Sequence, residues 1–229
     1  MKTVLIGERY KGLLDIPLKN YNFDVLYIPD NPNVDQRLAG HCDLSVFKHK
    51  NSIILADFLR RDELVNYFTN RGFDVKYSKF KQNSKYPDDV NLCGALIGDK
   101  LLHNPKFTDE EIINVCSGII SVKQGYCRCT ALCLNSNAVI TSDAGVANTL
   151  IKLGYEILLI QNGDIELPGY DYGFIGGAAF AHGKTVYFIG DIQTHTNGEE
   201  ICKFIHARGF NYINLLNGKL LDIGGAIVI

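Results

Sequence analysis

His41 and Asp43 stand two residues apart in Gly40-His41-Cys42-Asp43-Leu44-Ser45-Val46-Phe47, an imidazole and a carboxylate spaced to move a proton and hold a cation. Cys127-Arg128-Cys129-Thr130 offers a nucleophile. Arg128 beside Cys129 would lower the thiol pKa, and Thr130 could donate a hydrogen bond to it. The guanidinium of Arg128 also suits a carboxylate or phosphate, clamped by two parallel hydrogen bonds, or an ion pair with Asp43. Asn91 and Asp222 are further polar candidates, expected at the opposite mouth of the same cavity. Each residue has a plainer role beside the chemical one: His41 as a satisfied core histidine, Cys129 as a small apolar filler, Asn91 as a turn residue and Asp222 as a strand end. No metal or cofactor is expected. Cys127, Cys129 and Cys133 form no CxxC pair and have no His nearby, and the Gly176-Gly177 and Gly224-Gly225 pairs lack the strand-turn-helix setting of a nucleotide loop.

The elements that must position these residues are repeated. One short pattern occurs five times, at His41-Cys42-Asp43, Leu92-Cys93-Gly94, Arg128-Cys129-Thr130, Ile175-Gly176-Gly177 and Ile223-Gly224-Gly225. Four copies continue through an apolar stretch, a turn and a second apolar strand; the fifth runs off the C-terminus, and Thr3-Val4-Leu5-Ile6 can supply its return strand. Between copies lie helical stretches with start signals (Thr108 with Glu111, Ser142 or Asp143, Thr196 or Asn197) and closing glycines (Gly72, Gly118, Gly154, Gly209). The spacing predicts an α/β fold of five strand-helix-strand units around a pseudo-fivefold axis, closed by the terminal strands, with residues 1–229 as one domain. If the repeated columns are strands, period-two alternation puts His41, Asp43, Arg128 and Thr130 on one face and turns Cys42, Cys93 and Cys129 away from it. The turn-rich stretch 162–173 is expected to be a connector, or a lid over the ring.

Composition narrows the partners. With 46% hydrophobic and 21% charged residues the chain can bury a full core, and its formal charge of −2 with no basic stretch argues against a nucleic-acid surface. No apolar run approaches the roughly 20 residues of a membrane span, and no export signal is recognisable, so a cytoplasmic protein with reduced thiols and a small-molecule ligand is expected.

Five such units closing through the chain ends, with His41-x-Asp43 followed by Phe47 and with Phe174-Ile-Gly-Gly177, resemble the pentein superfamily. It includes arginine and agmatine deiminases, dimethylarginine hydrolases and amidinotransferases. The resemblance implies a five-bladed α/β propeller, an acid-base role for His41 and a guanidinium-holding role for Asp43. Where the family places an acidic residue before Gly-Gly this chain has Ile175, and where the family's nucleophilic Cys follows a glycine cluster near the C-terminus there is none after Cys202. A missing nucleophile and half a cation clamp predict a relic without deiminase or dimethylarginine hydrolase turnover. If active, it would be a thiol- and His-dependent hydrolase or amidinotransferase-like enzyme on C–N bonds, with Cys129 as the thiol to name. The superfamily also holds a non-catalytic ribosome anti-association factor, so a ring that binds a macromolecular partner such as the ribosome is the alternative.

Overall fold

The computed structural model describes residues 2–229. In chain order its elements are β1 (Lys2–Gly7), α1 (Asp15–Lys19) and β2 (Phe23–Ile28). Next come β3 (Val46–His49), β4 (Ser52–Leu55), α2 (Asp62–Thr69) and β5 (Asp74–Tyr77), then β6 (Ala95–Ile97), β7 (Lys100–His103), α3 (Glu110–Val115) and β8 (Ile119–Ser121). They are followed by α4 (Cys127–Thr130), β9 (Ala131–Cys133), β10 (Ala138–Thr141), α5 (Ala144–Lys152), β11 (Glu156–Leu159) and β12 (Ile165–Glu166). Last are β13 (Ala179–His182), β14 (Thr185–Phe188), α6 (Gly198–His206), β15 (Asn211–Asn214), β16 (Leu220–Leu221) and β17 (Ile227–Val228).

Five three-stranded sheets share one plan. In β3-β4-β5, β6-β7-β8, β9-β10-β11 and β13-β14-β15 an antiparallel hairpin is followed by a helical crossover to a parallel third strand. The fifth sheet takes strands from both chain ends: β17 pairs antiparallel with β1 (Val4 opposite Val228, Leu5 opposite Ile227), and β1 pairs parallel with β2. Short β12 and β16 pair separately. Successive sheets bury apolar side chains between them. Leu5 packs with Val46 and Ile53, Phe47 with Leu92 and Leu101, Ala95 with Val139, Ile140 with Val186, and Phe180 and Tyr187 with Val4 and Ile6. A fully buried Leu or Phe contributes roughly 1.5–3 kcal/mol, so these seams hold the sheets to one another.

The crossover helices form because their apolar residues fall one turn apart: Leu64 and Phe68 in α2, Val146 and Leu150 in α5, Ile201 and Ile205 in α6 are buried. Asp143 caps α5, its carboxylate accepting from Val146 N at 2.9 Å. Gly72, Gly154 and Gly209 close these helices in the left-handed region, and the next residue's N–H reaches back five residues, as from Tyr155 to Leu150 O at 3.1 Å. Two expectations fail in the third crossover. Asp109, not Thr108, caps α3 by accepting from Glu111 N, while Thr108 bonds Asn104 O. Gly118 is not left-handed, because Cys116 has already turned extended.

The repeated columns are turns rather than strands. Cys42–Leu44 forms a 3-10 turn and Cys127–Thr130 one turn of α-helix, closed by Thr130 N to Tyr126 O at 2.9 Å. The faces assigned by alternation therefore do not exist, and side chains expected to diverge point to one place.

Candidate functional site

Five buried groups meet where those turns converge. Cys129 Sγ donates to Asp43 Oδ2 at 2.7 Å, Cys93 Sγ lies 3.3 Å from the same oxygen, and the two sulfurs are 3.9 Å apart. His41 Nδ1 is 3.9 Å from Asp222 Oδ1. One ligand atom each of His41, Cys129 and Asp222 lies within 4.8 Å of the other two. All five side chains are at most 4% exposed.

Backbone donors fix Asp222: its Oδ1 accepts from Gly224 N and its Oδ2 from Phe174 N, both at 2.9 Å. The glycine pairs let the backbone approach this closely. A Cβ on Gly224, whose φ is +76°, would lie 2.5 Å from His41 Cβ, and one on Gly177 would collide with the Asp222 carboxylate. Two polar atoms remain without partners, His41 Nε2 and Asp43 Oδ1. Buried orphans of this kind mark a site awaiting a ligand or water.

Electrostatics keep the thiol protonated. The hydrogen bond to Cys93, burial, and the carboxylates of Asp43 and Asp222 push the Cys129 thiol well above its ordinary value, opposing the lowering expected from Arg128. Burial raises Cys93 to about 11. Asp222 is also raised, by burial ahead of the opposing pull of His41 and its two backbone donors. A site with two carboxylates and a protonated thiol is short of positive charge.

His41, Cys129 and Asp222 open onto a cleft of about 320 Å³ whose remaining walls, apart from Asp171, are aromatic and aliphatic, among them Tyr126, Tyr170, Tyr172 and Phe174. Four of its residues (Leu167, Tyr170, Asp171, Tyr172) come from stretch 162–173. The stretch is held by Arg37, whose guanidinium donates to Gly169 O at 3.0 Å and stacks 4.2 Å from the Tyr170 ring.

The other candidates lie elsewhere. Arg128 donates to Ala226 O at 2.8 Å and, with Asp43, lines a second cavity; it makes no ion pair with Asp43. The expected common pocket of His41, Asp43, Arg128 and Thr130 is thus two cavities with no shared wall residue. Thr130 reaches neither, its side chain bonding Cys127 O while its carbonyl accepts from Thr141 Oγ1. Asn91 lines neither cavity, donating to Ser78 Oγ at 2.8 Å and accepting from Gln82 Nε2 at 3.0 Å. Asp222, expected at the opposite mouth, is beside His41. Cys42 is filler, its thiol directed to Leu5 O and Gly225 O. Sequence reasoning turned Cys93 away from the site and passed over Tyr126 and the aromatic wall. Cys129 and Asp222, expected away from His41, both stand beside it. Two donor sets, His41-Cys129-Asp222 and Asp43-Cys93-Cys129, combine thiolate with imidazole or carboxylate and would suit a thiophilic divalent ion, although no metal was expected.

A family model described as a family of unknown function (DUF6873) matches residues 5–227. The chain belongs to that family. No curated protein matches it. Solved structures of about 10% identity share the fold. A dimethylarginine dimethylaminohydrolase adduct with S-methyl-L-thiocitrulline is similar at TM-score 0.59 and 11% identity, over 99% of each chain. The Pseudomonas aeruginosa DDAH bound to citrulline gives 0.56 at 10% identity, over 99% of this chain and 98% of its own. The agmatine deiminase of C. jejuni gives 0.57 at 10%, over 93% and 86%. Among the described residues no helix is long and apolar enough to cross a membrane.

Proposed function

We propose that this chain is a thiol-dependent enzyme acting on a C–N bond of a small guanidinium or amidinium compound, within five blades arranged about one axis. Cys129 is the nucleophile, His41 the acid-base group, and Asp222 and Asp43 the carboxylates that hold the cation. The carrying observation is that Cys129, His41 and Asp222 line one cleft, with the Asp43 carboxylate accepting from the Cys129 thiol behind it, although they lie far apart in sequence.

The charge state favours a cationic substrate. A planar cation bound in the cleft against Asp222 offsets the negative field of Asp222 and Asp43 that holds the Cys129 proton, so the thiolate forms when the substrate is present. His41, its Nε2 free, takes that proton and returns it to the departing nitrogen. Sulfur attack on the central carbon then expels an amine, and water or a second amine completes the transfer. The acidic residue that Ile175 does not provide is supplied by Asp222, two residues ahead of Gly224-Gly225.

Paired alkylation tests this. Chloroacetamidine, a cation, should label Cys129 much faster than neutral iodoacetamide, and Asp222→Asn should remove that preference. Labelling of Cys129 by either reagent only after denaturation would leave a non-catalytic binder as the better reading.

A further inference from the structure

We propose that the second cavity is a binding site for a small oxyanion, a carboxylate or phosphate, gripped by Arg128 and Lys48. It encloses about 310 Å³ and shares no wall residue with the His41 cleft. Arg128 enters from α4, Lys48 from β3 and His182 from the end of β13. Asp43 is the only acidic residue on its walls, and Asp43 Oδ2 is already engaged by the thiols of Cys93 and Cys129.

The cations lack partners. Among the described residues no carboxylate lies within 4.0 Å of Arg128, Lys48 or the nearby Lys2. Arg128 spends one N–H on Ala226 O, leaving donors of its planar fork for a ligand. The positive groups also feel one another: burial and then Lys2 lower Lys48, and burial followed by Lys2 and Lys48 lowers His182. Asp43 offsets part of this positive charge, and an anion bound between Arg128 and Lys48 relieves the repulsion that remains. Aliphatic and aromatic walls, including Phe47, Leu92 and Val228, limit solvent screening of those contacts. A guanidinium compound would be repelled here, so the two cavities select ligands of opposite charge.

The test is calorimetric titration of the full chain with inorganic phosphate and, separately, with acetate and citrate, at constant ionic strength set with chloride. Saturable binding of at least one oxyanion is expected, and the phosphate and carboxylate arms identify the preferred class. Arg128→Gln should weaken it at least about tenfold, the loss of one charge-assisted hydrogen bond, and Lys48→Gln, on a partly exposed strand position, should do so without endangering the fold. Cys129→Ser should leave binding intact while abolishing the chemistry proposed above, so the two proposals fail separately. No saturable binding by any of the three oxyanions, or binding undiminished in both charge variants, overturns the site.

Discussion

The Cys129 thiol donates to Asp43 Oδ2 at 2.7 Å, so the group with the most nucleophilic potential is tied to a buried negative charge. Asp43→Asn removes that charge. The expected result is a lowered Cys129 pKa, read as roughly tenfold faster alkylation by iodoacetamide near pH 8, with slower labelling by chloroacetamidine. Opposite movement of the two reagents distinguishes a charge effect from simple loosening.

His41→Ala is expected to reduce turnover of an accepted guanidino or amidino compound by about 10²–10⁴-fold while changing substrate affinity little, because Asp43 and Asp222 remain to hold the cation. Ammonia release under saturating substrate gives kcat directly. A change confined to KM would contradict the acid-base role.

Arg37→Ala should loosen the wall it holds. Losing the contacts to Gly169 O and the Tyr170 ring is expected to raise amide hydrogen exchange in 165–173 and to speed iodoacetamide labelling of Cys129, with unfolding stability lowered by only about 1 kcal/mol or less. Unchanged exchange there would show that the stretch is held by its aromatic packing alone.

His103 sets a pH window for stability. Burial lowers its pKa to about 4, and its nitrogens bond Thr108 Oγ1 and Gly125 O, each at 2.7 Å. The unfolded chain binds a proton near 6.5 that the folded chain resists, so this contribution is complete above about pH 6.5 and is lost as pH falls towards 4. The loss is on the order of 3 kcal/mol. Urea unfolding of wild type and His103→Gln between pH 4 and 7 should converge at the acid end.

The repeat made the sheet plan and the pairing of the chain ends legible, because four complete copies define what the fifth lacks. The direction of Cys129 was not legible. Cys-Arg-Cys-Thr-Ala-Leu-Cys alternates as a strand would, and a tertiary bond, Arg128 N to Cys93 O, holds its first half in the helical turn that Thr130 N closes on Tyr126 O. Asp222 was visible but misplaced, since counting back from Gly224-Gly225 as if in a strand sends it to the wrong mouth. The walls at 167–174 could not be assigned, because a turn-rich stretch carries no period.

The pairing of β1 with β17, extended by hydrogen bonds between Thr3 and Ile229 in both directions at 3.1 and 2.9 Å, separates backbone continuity from architecture. A short linker joining the two ends, with a new break at the exposed turn Asn135-Ser136-Asn137, would leave every strand pair, every seam and the convergence at Cys129 as they are. Deleting the last three residues would instead remove the antiparallel partner of β1 and withdraw Ile227 and Ile229 from the packing around Leu5. The molecule is therefore expected to tolerate circular permutation better than trimming, so the order in which the residues of its candidate site appear along the chain is free to vary without moving them in space.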